Sequence, residues 1–414
     1  MKHKFQIIFI LIFTPALIYS SPVPWGNGQS KAEDLRFKLV TFGIGDDIPS
    51  YWGHIGLVVE DVRLKVTKIY NFGLFSFGDD FVYRFLKGEL IFSAGAGSLP
   101  AYLSYYKNQK REIRISDLNI PLNNRIRLAE KLAWNALPEN RDYVYDHYWD
   151  NCSTRLRDLL NEAFNGRLFE AADTTSRMNL RQHTRRYTSR NPFLDILLMY
   201  LMNDDIDKPI RVWDDMFLPD ELETNLLQLN YEDADSSLQK AVSSRMVVYK
   251  PERDDVPAVP PVHWPWALLS GIFTALAGGL LVRWMVLKES LTARILTGSF
   301  NLLLGLVLGI PGLALAYFAS FSHHTLAWYN ENLFLANPFT FLIIPASIAL
   351  LFNKTKARKW LACLWLIQAA GGLLAVLLKV FPAFDQDNLL VMAFMLPINL
   401  GMAAGWKFLG KNKS

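Results

Sequence analysis

The residue with the clearest potential for chemistry is Cys152, one of two cysteines in the 414-residue chain. It lies in the polar segment Asp-Asn-Cys-Ser-Thr-Arg (150–155), directly before leucines that repeat at helical spacing. Asp, Asn, Ser and Thr cap first turns, so the pattern predicts a helix that begins near Cys152. Backbone N–H groups and the helix dipole at such a position lower a thiol pKa from its usual value of about 8.5. We therefore expect a nucleophile here, although a lone cysteine is more often a small buried hydrophobic residue.

A thiol nucleophile needs a general base, and the favoured histidine is His54. It lies at the start of a predicted strand, residues 53–60, directly after a glycine that lets another backbone approach closely. A second predicted strand, residues 65–73, follows a short turn and pairs with the first as an antiparallel hairpin. That register brings His54 close to Asn71 or its immediate neighbours, and the Asn71 amide could hold the imidazole in one tautomer. Cys152, His54 and Asn71 are thus predicted to form a catalytic triad.

Alternatives remain open for these assignments. Asp61 and Tyr51 are substitutes for the third member, because Asn71 also suits a plain strand end. His54 alone would more often be a histidine satisfied within a core, and the candidate nucleophile is what favours catalysis. His147, five residues before that nucleophile, has no evident reason to face the thiol.

The elements that must position these side chains fall into a soluble part and a membrane part. Residues 1–21 have a basic start, a short apolar core and small residues at a cut site, which is typical of a secretory signal peptide. Residues 22–250 combine short strands with charged helices and are predicted to form an α+β catalytic domain. Residues 251–263 form a proline-rich linker. Residues 264–414 are predicted to be a transmembrane domain with a basic cytoplasmic tail.

Uncharged runs in the membrane part are each about long enough to cross ~30 Å of hydrocarbon as a helix. The five runs are 264–282, 295–322, 332–353, 360–378 and 388–406. Lysine and arginine cluster after the first, third and fifth runs, whereas the loop 323–337 holds none. By the positive-inside rule the basic segments are cytoplasmic, which places the soluble domain on the far side of the membrane.

The net charge and the spacing of cysteine and histidine residues give no support for nucleic-acid binding or for a metal site. The formal net charge of +4 gives no argument for nucleic-acid binding. No Cys/His cluster has the spacing of metal ligands, so we expect neither a metal nor another cofactor.

Short sequence segments, in one order along nearly the whole chain, resemble those of the Lnb-type bacterial lipoprotein N-acyltransferases. The segments are Tyr-Trp-Gly-His-Ile-Gly (51–56), Tyr-Asn-Phe-Gly (70–73), Lys-Gly-Glu-Leu (87–90), Asp-Asn-Cys-Ser-Thr-Arg (150–155) and His-Thr-Leu-Ala-Trp-Tyr-Asn-Glu-Asn-Leu-Phe-Leu-Ala-Asn-Pro (324–338). The periplasmic domain of that family is similar to circularly permuted NlpC-type thiol peptidases and to lecithin:retinol acyltransferase, in which histidine precedes cysteine. The resemblance implies a permuted papain-like domain followed by a five-helix transmembrane bundle, with Cys152 as nucleophile and His54 as base.

The same resemblance implies the reaction and its two lipid partners. A fatty acyl chain would move from a membrane phospholipid, through a Cys152 thioester, to the α-amine of a diacylglyceryl-cysteine lipoprotein N-terminus. Backbone N–H groups at the start of the Cys152 helix are the expected oxyanion hole. Two other functions remain open: a membrane-anchored thiol hydrolase of murein peptides or lipid esters, and a non-catalytic membrane-anchored binding module.

Two further groups of residues are candidates for binding the lipid substrates. Arginine suits a lipid phosphate, although a solvated or salt-bridged arginine is more common. Polar residues at membrane depth are often functional and are candidates for lining a lipid entrance. The first group is Arg155 and Arg157, and the second is His324, Asn330, Glu331 and Asn332.

Overall fold

The computed structural model describes residues 25–75, 78, 80–232 and 237–407. The predicted signal peptide lies outside the described residues. The described chain forms a mixed domain of strands and helices followed by a helical membrane region, which confirms the predicted fold class.

An antiparallel sheet is the centre of the N-terminal domain. The strands are β1 (Leu35–Phe42), β2 (His54–Asp61), β3 (Val66–Leu74), β4 (Ile91–Gly97), β5 (Ile113–Leu118), β6 (Asp142–Val144), β7 (Asn230–Glu232), β8 (Leu238–Lys240) and β9 (Val242–Tyr249). Within the described chain, seven of them form one sheet in the order β6-β4-β3-β2-β1-β5-β9, while β7 and β8 pair separately. Each neighbouring pair in the sheet is antiparallel.

Both faces of the central strands are buried, which explains their nearly continuous apolar sequences. Leu39 and Leu57 point into a core shared with helices on one face, whereas Val40 and Val58 point into a second core on the other face. The helices of this domain are α1 (Phe81–Lys87), α2 (Leu99–Asn108), α3 (Leu122–Asn135), α4 (Cys152–Ala163), α5 (Arg167–Ala172), α6 (Leu180–Thr188), α7 (Pro192–Leu201), α8 (Val212–Asp215) and α9 (Pro219–Gln228). Helices α3 and α4 cover the first face, and α2 packs on the second.

The membrane region consists of long apolar helices. They are α10 (Trp264–Lys288), α11 (Leu291–Leu304), α12 (Ile310–Phe321), α13 (Pro338–Phe341), α14 (Ile343–Leu351), α15 (Ala357–Leu378) and α16 (Leu389–Lys407). A π-helical turn, Gly305–Gly309, joins α11 to α12 into one segment. It precedes Pro311, which has no N–H to donate to the preceding turn. Among the described residues, four segments are long and apolar enough to span a bilayer: α10, α11 with α12, α15 and α16.

The fifth predicted span, 332–353, is shorter than its apolar sequence suggests. Its helical part is Pro338–Leu351, which at about 1.5 Å per residue is only roughly 21 Å long. Asn337 caps this helix through a capping box, and Pro338 occupies its first turn, so the helix begins late. The predicted count of five is therefore approximate, with four long spans and one short apolar segment.

A polar loop, residues 323–337, fastens the N-terminal domain to the membrane helices. Asn332 Nδ2 donates to the carbonyl oxygens of Met199 and Tyr200, at 3.1 and 3.0 Å, at the end of α7. Glu331 accepts from the ammonium of Lys379 and, at 3.0 Å, from the backbone N–H of Gln386. Because these groups are largely buried, they hold the domain in a fixed position above the membrane helices.

Candidate active site

The start of α4 is shaped by its cap. Asn151 Oδ1 accepts from the N–H groups of Ser153 and Thr154 at 2.8 and 3.0 Å, and the Thr154 hydroxyl accepts from the Asn151 N–H at 2.8 Å. Asn151 Nδ2 also donates to the carbonyl oxygen of Phe217 at 3.1 Å, which ties the cap to the neighbouring segment. Cys152 is consequently the first residue of the helix, as predicted, and is partly buried.

Strands β2 and β3 separate where the site lies. Their pairing runs only as far as Leu57 opposite Tyr70. Beyond that point His54 Nε2 lies 2.7 Å from Asn71 Oδ1, so the approach predicted from the hairpin register is present. Asp61 lies at the far end of β2, where it accepts from Ser30 at 2.6 Å, so it does not contact His54.

The contacts of Asn71 fix the tautomer of His54. Asn71 Oδ1 also accepts the Gly73 N–H at 2.8 Å, and Asn71 Nδ2 donates to the Tyr102 hydroxyl at 3.2 Å. Since Oδ1 is thereby an acceptor, His54 Nε2 carries the hydrogen and Nδ1 carries the free lone pair. Nδ1 is thus the atom able to take a proton. Tyr51, the other substitute, has its hydroxyl 3.5 Å from Asn191 Nδ2.

A single cavity of about 860 Å³ brings Cys152, His54 and Asn71 together. The backbone N–H of Ile55, the residue after His54, acts on the Cys152 sulfur and favours its thiolate form. The volume lies in the range of sites that bind small-molecule ligands.

Burial decides the charge state of the pair. It raises the pKa of the Cys152 thiol to about 11, against the opposing effects of the Ile55 N–H, the Arg111 charge and the N–H groups of the helix start. It lowers the pKa of His54 to about 4, helped by the positive charge of Arg111, while the hydrogen bond to Asn71 acts in the opposite direction. The prediction of a lowered thiol pKa is therefore wrong. The resting pair is a neutral thiol beside a neutral imidazole.

Backbone N–H groups of three residues favour a negative charge on the sulfur of Cys152: those of Cys152 and Ser153 at the helix start, and that of Ile55. The Ser153 N–H also donates to the Asn151 cap at 2.8 Å. Ile55 carries no signal in the sequence that could have identified it as a donor.

The structure does not bring the two predicted arginines to the cavity. Arg155 forms a bidentate pair with Asp150, at 2.6 and 2.8 Å, and stacks 3.7 Å over the Tyr143 ring. Arg157 pairs with Asp158 at 2.9 Å and stacks 4.1 Å over the Trp213 ring. Their guanidinium groups are satisfied by protein partners, so both serve the fold around α4.

The loop residues predicted to line a lipid entrance also lie outside the cavity lining. Asn330, Glu331 and Asn332 are buried in the contacts between the domain and the membrane helices. Their polarity serves docking, because each satisfies a backbone or charged group there. His324 lies closer, with Nε2 2.6 Å from the carbonyl oxygen of Phe85 in α1.

Helix α1 connects the cavity with the membrane. At its C-terminal end the Lys87 carbonyl oxygen accepts a hydrogen bond from the His323 N–H at 2.7 Å. The Phe85 ring packs edge-on against Phe318 of α12. Phe85 also lines the cavity, whereas Val82 and Tyr83 on the opposite side are 66% and 60% exposed. Sequence reasoning missed this helix because it is only seven residues long.

Gly73 contacts the face of the candidate base. A Cβ at this position would lie 2.5 Å from His54 Cε1 and 3.4 Å from Asn71 Oδ1. We expect Gly73→Ala to push the imidazole aside and to slow any reaction that uses His54 as the base for Cys152 about 100-fold. The backbone of Gly73 is not left-handed, so the fold should persist, which thermal unfolding of the purified protein would verify.

Gly279→Ala is the matched control, because its Cβ would meet Gly401 O at 3.9 Å and nothing closer. Equal rates for Gly73→Ala and this control would show that the observed imidazole position is not required.

Family comparisons match two parts of the chain. Residues 22–188 match the Lnb N-terminal periplasmic domain, and residues 270–407 match the Lnb transmembrane domain. The first match contains His54, Asn71 and Cys152, and the second contains the loop that fastens the domain to the membrane helices. No curated protein and no solved structure matches the chain.

Proposed function

Because the chain belongs to the Lnb family, we propose that it is a cysteine-dependent lipoprotein N-acyltransferase. It is an inner membrane protein whose N-terminal domain is periplasmic and whose C-terminal region spans the membrane several times. The donor is a membrane phospholipid, and the acceptor is the α-amine of a diacylated lipoprotein.

The observation that supports this proposal is the amphiphilic lining of the cavity that contains Cys152 and His54. Its apolar lining includes Leu74, Phe75, Leu90, Phe92 and the α1 residue Phe85. Its polar lining includes Ser50, Arg111 and Asn151. A phospholipid likewise combines apolar chains with esters and a polar headgroup.

The first half-reaction transfers the acyl chain to the enzyme. His54 Nδ1 takes the proton of the Cys152 thiol as the sulfur attacks the ester carbonyl. The N–H groups of Cys152 and Ile55 stabilise the oxyanion. The bond from the carbonyl carbon to the glycerol oxygen then breaks, and His54 gives its proton to that oxygen. A lysophospholipid leaves, and the acyl chain remains as a thioester.

The second half-reaction uses the same groups. The lipoprotein amine attacks the thioester carbonyl, the carbon–sulfur bond breaks, and an amide forms. His54 takes a proton from the amine and returns one to the sulfur. A neutral imidazole can serve in both directions, because protonated His54 forms only transiently beside Arg111.

The experiment that tests this function is mass analysis of a lipoprotein N-terminus from cells in which this protein is the sole candidate N-acyltransferase. We expect a third acyl chain on the α-amine, because hydrolysis of a thioester among apolar side chains is slow enough for the amine to react first. Lipoproteins that remain diacylated, together with free fatty acid released into water, would show that the protein is a hydrolase and not a transferase.

A further inference from the structure

Arg111 has an unusual environment for a charged side chain. It is 7% exposed and lines the cavity that holds Cys152 and His54. Its Nε donates to the Gly43 carbonyl at 2.7 Å, and its guanidinium lies 4.7 Å from the Tyr106 ring centroid. These contacts fix the orientation of the group without neutralising its charge.

One nitrogen of this guanidinium has no partner among the residues that the structure describes: Arg111 Nη2 is buried and makes no hydrogen bond with them. The carboxylate with an electrostatic effect on Arg111 is that of Asp47, an exposed residue whose Oδ1 accepts from Ser50 at 2.6 Å. A buried cation without a bound anion is costly, so its retention indicates an anionic ligand.

Other arginines in the domain are arranged differently. Arg114 is buried to the same degree, but it is surrounded by Glu112, Asp220 and Glu223. Arg155 is held by Asp150. Arg111 differs from these two arginines. It forms no ion pair at hydrogen-bond distance with a carboxylate of the described residues, so its charge remains available in the cavity.

We propose that Arg111 binds the phosphodiester of the donor phospholipid and thereby selects the lipid that acylates Cys152. This inference rests on the proposed function and assigns the headgroup site of its first half-reaction. The Arg111 charge acts on both Cys152 and His54, and the phosphate of a phospholipid is only a few bonds from the ester that Cys152 would attack. A guanidinium is well suited to two phosphate oxygens.

The Arg111 site also explains how the ester bonds of the acceptor lipoprotein are spared. The diacylglyceryl group of a lipoprotein contains the same kind of glycerol esters as a phospholipid but no phosphate. A requirement for phosphate at Arg111 directs Cys152 to phospholipid esters and leaves the acceptor's own esters intact. The enzyme thus distinguishes the donor phospholipid from the acceptor lipoprotein by the negative charge of the phosphate.

The test compares two short-chain donors, a phosphatidylglycerol and the diacylglycerol with the same chains, on the full-length protein in detergent. The first readout is the rate of acyl-enzyme formation, which needs no lipoprotein. The second is binding of the same two lipids to Cys152→Ala protein, which needs no catalysis. We expect a preference for phosphatidylglycerol of roughly 10- to 100-fold in both readouts.

Arg111→Gln is expected to reduce that preference to near unity, and Arg111→Lys to keep part of it. Arg190→Ala is the control, because Arg190 donates to Gly45 O, at 3.2 Å, in the same loop that Arg111 contacts but lies outside the cavity. The ratio of the two donors is measured within one preparation, so partial misfolding does not change it.

Equal losses with both donors, at an unchanged ratio, would overturn the proposal and give Arg111 a role at the sulfur or in the fold. Loss of the preference in millimolar inorganic phosphate would assign the site to the free anion and likewise overturn it. If acyl-enzyme does not form but the binding preference follows Arg111, then the transferase function fails while the headgroup site stands.

Discussion

Cys152→Ala is expected to abolish both the acyl-enzyme and lipoprotein N-acylation, to the rate of the reaction without enzyme. Among the described residues that line the cavity, Cys152 is the group that combines a nucleophilic atom with a nearby histidine and with N–H groups that favour its anion. The measurement is labelling with a phospholipid that carries a radioactive acyl chain, followed by treatment with neutral hydroxylamine, which cleaves thioesters. We expect a hydroxylamine-sensitive label on the wild-type protein.

Cys363→Ala is the matched control for this experiment. It is the other cysteine of the chain and is exposed on the membrane helix α15. The label should persist in Cys363→Ala and vanish in Cys152→Ala. A third acyl chain on lipoproteins made by Cys152→Ala cells would show that another residue is the nucleophile.

His54→Gln is expected to slow acylation about 1,000-fold near neutral pH. Glutamine keeps a hydrogen-bond donor beside Asn71 but cannot accept a proton from the thiol. Because burial raises the pKa of Cys152 to about 11, the variant has little thiolate to use at neutral pH. Single-turnover formation of the acyl-enzyme measures this loss directly.

The pH dependence should distinguish the wild type from this variant. The competent form of His54 is neutral, and its pKa is lowered to about 4, so the wild-type rate should be flat near neutrality and fall only as pH decreases through about 4. The rate of His54→Gln should instead rise about tenfold per pH unit, as the fraction of thiolate does below its pKa. An acid limb near 6.5 in the wild type would contradict the buried, neutral base.

His147 is the competing base and needs its own variant. It lines the same cavity, its Nε2 is buried without a partner, and burial lowers its pKa to about 4. The pH profile alone therefore does not distinguish the two histidines. If His147→Gln produced the thiolate-dependent profile and His54→Gln did not, the assignment of the base would move to His147.

Local patterns predicted the parts of the site that depend on nearby residues. The turn after β2 set the hairpin register and with it the contact between His54 and Asn71, which are 17 positions apart. The cap residues around Asn151 likewise set the start of α4. In both cases the interacting groups lie within one supersecondary unit, so their geometry follows from strand pairing or from first-turn hydrogen bonds.

Features that depend on tertiary burial were not predictable in the same way. The thiol pKa follows from the packing of α4 against β2 and β3, which a sequence pattern does not quantify. Arg111 is one of many charged residues in sequence, and only the fold leaves its Nη2 unpaired inside the cavity. The polar residues Asn330 and Asn332 donate to carbonyl oxygens of α7, a segment about 130 residues earlier, so their role in docking appears only in the fold.

The loop that fastens the domain to the membrane helices also sets the reach of the enzyme. A lipoprotein is anchored in the bilayer by its two acyl chains, so its first residue stays close to the membrane surface while later residues extend away from it. Under the proposed function, the buried contacts of Asn332 with α7 keep the N-terminal domain, and with it the sulfur of Cys152, at one distance from the membrane helices. Under the proposed function the protein therefore acylates the terminal amine of the lipoprotein and does not acylate lysine side chains farther along the polypeptide.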